Sequence, residues 1–237
     1  MKFRVRYFWL LPVGLLVLFS CDLFNSKGES AVDPVPVNPA FTSWYERHND
    51  RVSNVITGQK LILIGDSLTQ FWEGTEAYEG LLARCGNKIT NLGFGGDQTQ
   101  NVIWRLENGE FPPGINPEYV SLLIGSNNRQ SPNAIAQGIA AIIKIINRNA
   151  PAAKILLFSL LPRETGLNNE NTRRNNEVNE LIKHYHGQLN VQYVNIAPCY
   201  LNPEGSLKNE LFTDTLHLTE GGYNIWKDKL EEMVIAG

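Results

Sequence analysis

Five short segments suited to strands alternate along this chain with stretches of helical period, and that alternation restricts the fold more than any other feature. Lys60 to Ile64 is a largely apolar run followed by Gly65, as expected of a parallel strand covered by helices on both faces. Tyr119 to Ile124 and Lys154 to Phe158 have the same character, and Ile89 to Leu92 and Val191 to Val194 supply the remaining strands. Between them Ile135, Ile139, Ile142 and Ile146, and later Val178, Leu181, Ile182 and Tyr185, recur at helical spacing as core stripes. A last helix carries Tyr223, Trp226, Leu230 and Val234, with Thr219 placed to cap it. This order predicts an α/β fold of three layers, a doubly wound parallel sheet between two layers of helices. Sites in such folds lie at the carboxyl ends of strands, so the segments just after the strands are where chemistry should be sought.

The 237 residues suffice for one such domain, and 43% hydrophobic with 19% charged residues excludes both a disordered chain and a multi-span membrane protein. Lys2, Arg4 and Arg6 precede an apolar run from Phe8 to Phe19, too short to span a bilayer but suited to a signal-peptide core over residues 1–20. The run ends in Leu18-Phe19-Ser20-Cys21, which resembles a bacterial lipobox with Cys21 as the lipidated residue; the alternative is an ordinary signal peptide with an incidental cysteine. Residues 21–40 are polar, contain Pro34, Pro36 and Pro39, and are expected to form a flexible, extended tether. The folded domain is expected over residues 41–237. Loss of the leader leaves 18 Lys and Arg against 24 Asp and Glu, a net charge of −6, which argues against nucleic acid as a partner. Cys85 and Cys199 are then compatible with a disulfide or with two buried thiols.

Four post-strand segments carry candidate chemistry. Gly65-Asp66-Ser67-Leu68 sets Ser67 at the carboxyl edge of the sheet, where it either caps a helix or, given a base within reach, acts as a nucleophile. Asp214-Thr215-Leu216-His217 lies before the last helix, and its spacing lets the carboxylate accept the Nδ1–H of His217 and leave Nε2 facing a serine. The other histidines are poorer bases: His48 stands among Glu46, Asn49 and Asp50 and is expected on the solvated surface. His184 and His186 flank Tyr185, where i and i+2 side chains diverge and do not pair on a metal. Gly93-Phe94-Gly95-Gly96-Asp97 would need a further glycine at position 98, occupied by Gln98, to bind a dinucleotide. It suits instead a turn that offers the Gly96 N–H to a developing negative charge, with Asp97 placed to cap the next helix. Gly125-Ser126-Asn127-Asn128 adds an amide, Asn127, that either forms a turn or donates to the same oxyanion. Together the segments supply nucleophile, oxyanion donors (the Ser67 N–H among them), orienter and base.

These blocks resemble the SGNH, or GDSL, hydrolase superfamily, whose four named residues map onto Ser67, Gly96, Asn127 and His217. Asn91 to Asp97, Ile103 to Gly109, Leu160 to Arg163 and Leu216 to Tyr223 are similar to the catalytic subunits of type Ib platelet-activating-factor acetylhydrolase. The resemblance runs from about Leu61 to about Val234 and implies a flavodoxin-like fold, no metal or organic cofactor, hydrolysis of short acyl esters with acetyl foremost, and a homodimer. It also implies an acyl pocket shaped by Leu68 and Leu216, unless both are plain core residues. Type Ib enzymes are intracellular, whereas this chain carries the marks of an exported bacterial lipoprotein tethered to the cell envelope. The expected substrate is therefore an acetylated carbohydrate or lipid outside the cytoplasm. A lysophospholipase or thioesterase of longer chains, and a lipoprotein that binds acylated ligands without turnover, are the alternatives.

Overall fold

A computed structural model describes residues 30–163 and 169–235. The candidate signal peptide and Cys21 lie outside the described residues. Five parallel strands form one sheet: β1 (Leu61–Gly65), β2 (Ile89–Gly93), β3 (Tyr119–Leu123), β4 (Lys154–Phe158) and β5 (Val191–Val194), in the order β2-β1-β3-β4-β5. The chain steps outward from β1 to β2 and then crosses back to β3, which makes a topological switch point between β1 and β3. Gly65 lies level with Gly93 on one side and Leu123 on the other, so the turns leaving these three strands meet at one edge.

Every residue of β1 is buried, because both faces of the sheet are covered. Ile62 and Ile64 join one core with Ile135, Ile139, Ile142 and Ile146 of α5 (Pro132–Asn149) and Val178 and Ile182 of α6 (Glu170–Ile182). That core also takes Val102 of α4 (Thr99–Arg105). Leu61 and Leu63 point the other way, to Leu81 of α3 (Glu76–Arg84) and to Tyr223, Trp226 and Leu230 of α7 (Glu220–Val234). The period-2 alternation of a strand thus divides one apolar run between two cores, giving the expected three-layer α/β/α architecture. Thr219 caps α7 by accepting from Gly222 N at 3.3 Å, and Ser131 caps α5 in the same way through Ala134 N.

Three expectations require correction. Residues 30–40 are not a free tether: Ala31 is 1% exposed, and the carbonyls of Ala31, Val35 and Val37 accept from Thr99 Oγ1, Asn101 Nδ2 and Tyr45 OH, each at 2.8 Å. Prolines deny this segment a helix or a ladder, but its carbonyls remain acceptors for side chains of the domain. His48 is buried, not solvated; in α1 (Thr42–Ser53) it lies one turn from Trp44 on the inward face, while its polar neighbours point outward. Asp97 does not cap α4, since Gln98 holds the cap position in a reciprocal pair with Asn101 and Asp97 is turned into the interior. Of the cysteines, Cys85 is buried, Cys199 is exposed, and both are free thiols.

Candidate active site

Asp66 ends β1 by capping α2 (Ser67–Gln70), its Oδ1 accepting from Leu68 N at 3.0 Å. This short helix sits directly against the sheet: a Cβ on Gly65 would come within 2.1 Å of Thr69 Oγ1 and 2.5 Å of Leu123 O, so only glycine permits the approach. Ser67 is presented at the edge as a result. On the far side of the groove the loop before α7 presents His217, and the two loops are tied from below. Tyr223 OH donates to Leu68 O at 3.0 Å, and Trp72 stacks against Tyr223 at 5.6 Å and Trp226 at 4.7 Å. This cluster couples the helix after His217 to the helix beginning at Ser67.

Ser67 Oγ lies 3.0 Å from His217 Nε2, and His217 Nδ1 lies 2.8 Å from Asp214 Oδ2. The other oxygen, Asp214 Oδ1, accepts from the N–H groups of Leu216 at 2.6 Å and His217 at 2.7 Å. Partial burial pushes the Asp214 carboxyl up, but the His217 ring and the two backbone donors outweigh it and hold the pKa at about 2. A carboxylate so held stays ionised at any ordinary pH. With Nδ1–H committed to it, Nε2 is left as an acceptor toward the serine hydroxyl.

Beside Ser67 the turn after β2 contains Gly96 at φ +79°, a conformation that glycine adopts without strain. Gly95 N donates to Gln70 Oε1 and Asp97 N to Phe94 O. Among the described residues the N–H groups of Ser67 and Gly96 have no protein acceptor. The half-buried Asn127 follows β3; its Nδ2 donates to Asp97 O at 3.1 Å and stands 3.5 Å from Asp66 Oδ2. At the latter distance its second hydrogen is barely engaged. Arg163 NH1 donates to Ser126 O at 2.7 Å and braces this turn. Burial pushes the Asp66 carboxyl up to about 7, opposed by the Leu68 N–H and reinforced by the charge of Asp97.

All four sequence segments therefore converge at the switch point. Leu68 does not line the groove: at 1% exposure it belongs to the core with Trp72 and Tyr223, because the first turn of α2 points it beneath the sheet edge. Leu216 is half-buried in the Asp214–His217 turn. Sequence reasoning missed a cleft of about 470 Å³ running from Gly96 between α1 and α2, lined by Val37, Phe41, Trp44, Phe71 and Phe94. Phe71 is half exposed, and its ring centroid lies 5.2 Å from that of His217. The only sequence signal for the cleft was the apolar Phe41 and Trp44 at the domain start. Among the described residues no group of three or more His, Cys, Asp or Glu side chains converges as a metal-ligand set.

Residues 63–225 match the model of the GDSL-like lipase/acylhydrolase family. The chain is 34% identical over 195 residues to platelet-activating factor acetylhydrolase IB subunit alpha2 of Rattus norvegicus, covering 81% of this chain and 83% of that one. Its fold is similar to that of a GDSL-like lipase from Bacteroides thetaiotaomicron, with a TM-score of 0.67 at 18% identity over 80% of this chain and 96% of the other. It is similar also to an acetyl xylan esterase, with a TM-score of 0.62 at 22% identity over 74% of this chain and 99% of the other.

Proposed function

The chain belongs to the GDSL-like lipase/acylhydrolase family, and from that premise we propose that it is a serine ester hydrolase removing short acyl groups, acetyl foremost, from a carbohydrate or lipid ester outside the cytoplasm. The observation that carries this reading is the relay from Ser67 Oγ to His217 Nε2 at 3.0 Å and from His217 Nδ1 to Asp214 Oδ2 at 2.8 Å. Ser67 Oγ attacks the ester carbonyl while Nε2 takes its proton, and the oxyanion receives the N–H groups of Ser67 and Gly96 and the amide of Asn127. As the tetrahedral intermediate collapses, the bond to the alcohol oxygen breaks and His217 returns the proton to it. Water then attacks the acyl-serine with His217 again as base, releasing the carboxylate and restoring Ser67.

Preference for acetyl is supported by relatives named as acetylhydrolases. The leader residues and Cys21 support attachment of the mature chain to a membrane. Nine residue steps separate Cys21 from the packed segment at Ser30, a reach of at most about 32 Å, so a lipid on Cys21 would keep the domain close to the bilayer. Labelling by radioactive palmitate that disappears in Cys21→Ala tests the anchor; labelling that persists in the variant defeats it.

The apolar cleft beside Phe71 favours a second reading, in which longer acyl chains lie along Val37, Phe41 and Phe94. Hydrolysis of p-nitrophenyl acetate, butyrate and octanoate by the mature domain and by Ser67→Ala separates the two. Activity that declines from acetate to octanoate and is absent from the variant supports a short-chain esterase. Activity rising with length supports the second reading, and equal activity in folded Ser67→Ala rules out both.

A further inference from the structure

Gly95 and Gly96 form a turn of two glycines, the least constrained pair a chain can carry, yet an oxyanion donor must be held within a fraction of an ångström. Nothing within 4 Å of Gly96 on its side-chain face restrains it. The residues on either side of the pair, however, are gripped by the same two side chains. At Phe94 the Arg105 guanidinium lies 3.8 Å from the ring centroid and the Trp44 ring packs edge-on at 5.5 Å. At Asp97 Arg105 Nε donates to Oδ2 at 2.8 Å and Trp44 Nε1 to Oδ1 at 2.7 Å.

Behind this grip, Arg105 donates to Glu110 and to Leu92 O at 3.2 Å, and Glu110 Oε1 is 2.7 Å from His48 Nδ1. Arg105 and Asp97 are fully buried, and Glu110 is 1% exposed. A buried ionic cluster is weak support for stability, since apolar side chains of like volume often serve as well or better. This one leads to the turn instead. The backbone carbonyl of Asp97 also accepts the Asn127 amide at 3.1 Å, so the donor after β2 and the donor after β3 are fixed to one residue.

We propose that Trp44, Arg105 and Asp97, backed by Glu110 and His48, form a positioning device that holds the Gly96 N–H and the Asn127 amide where the oxyanion develops. None of them touches the reacting atoms. The inference rests on the esterase reading above, and its test separates the two.

Trp44→Phe removes one N–H from Asp97 while keeping an aromatic ring and every charged partner. Arg105→Lys keeps the charge but lacks the fork needed to hold Asp97 and Glu110 together. With p-nitrophenyl acetate, well below each variant's unfolding midpoint, kcat is expected to fall about 10- to 100-fold with KM little changed. Affinity for phenylboronic acid, which forms a tetrahedral adduct on Ser67 with an oxygen at the oxyanion position, should fall by the same factor. Wild-type kcat and boronate affinity in folded Trp44→Phe, beside an inactive Ser67→Ala, overturn the positioning role and leave the esterase reading standing, whatever happens to the unfolding midpoint. Wild-type turnover by Ser67→Ala overturns both. If Arg105→Lys does not fold, Trp44→Phe decides alone.

Discussion

Asp214→Asn should be more damaging than its near-identical shape suggests, because the surrounding hydrogen bonds dictate which way the new amide faces. Asp214 Oδ1 accepts from two backbone N–H groups, at 2.6 and 2.7 Å, so the asparagine must keep its oxygen there and turn its NH₂ toward His217 Nδ1. The imidazole then carries its proton on Nε2, facing Ser67 Oγ, and cannot act as a base. Recovering the useful tautomer means opposing two donors, a loss of about 1–3 kcal/mol. The imidazolium formed during attack also loses a carboxylate partner, worth about 1–4 kcal/mol at 4 Å for effective dielectrics from 80 down to 20. Asp214 is 55% exposed on its side chain, which places the second contribution toward its lower end. The sum of about 2–4 kcal/mol corresponds to a fall in kcat of roughly 30- to 1,000-fold. Asp214→Ala leaves the tautomer free and should retain more activity than Asp214→Asn. The assay is kcat on p-nitrophenyl acetate at pH 8, with circular dichroism to verify folding. An Asp214→Asn enzyme within about tenfold of wild type, or one more active than Asp214→Ala, would refute the tautomer argument.

Asn127→Ala removes one oxyanion donor and should lower kcat by roughly 10²- to 10³-fold, measured on the same ester; unchanged turnover would make Asn127 a turn residue only. Asp66 is held up at about 7 by burial, against about 3.9 in an unfolded chain, so the folded state retains its proton longer. Its contribution to stability is therefore fully present below about pH 4 and lost as pH rises through about 7, a difference on the order of 4 kcal/mol. Urea midpoints of the wild type should fall between pH 5 and 8.5, and Asp66→Asn should flatten that slope; parallel profiles would count against the assignment. Trp72→Ala empties a fully buried site between Tyr223 and Trp226 and should cost about 3–5 kcal/mol by chemical denaturation. A loss below about 1 kcal/mol would show that the cluster repacks.

How legible the site was depended on how local its parts are. Ser67 and the Asp214–His217 pair lie within short turns next to strongly patterned elements, so their spacing alone indicated how the side chains would face. The same locality misled at Asp97. A carboxylate just before a helix is ordinarily a cap, but here an arginine eight residues on and a tryptophan 53 residues earlier draw it inward. His48 was misread for a related reason: its sequence neighbours are polar, and its partner Glu110 is 62 positions away. Residues 30–40 have the composition of a linker, and only contact with Thr99, Asn101 and Tyr45 makes them part of the domain.

By itself the sequence determined the alternation of strands and helices and the parallel sheet, and it singled out the serine, histidine and aspartate that the fold brings within hydrogen-bond distance, because period and turn chemistry act over a few residues. Tertiary structure alone decided that Leu68 faces the core, that an aromatic-lined cleft opens beside Gly96, and that Trp44 and Arg105 clamp the Gly95–Gly96 turn. Each of these depends on how separately formed elements approach one another across the sheet edge, and no local pattern encodes that distance.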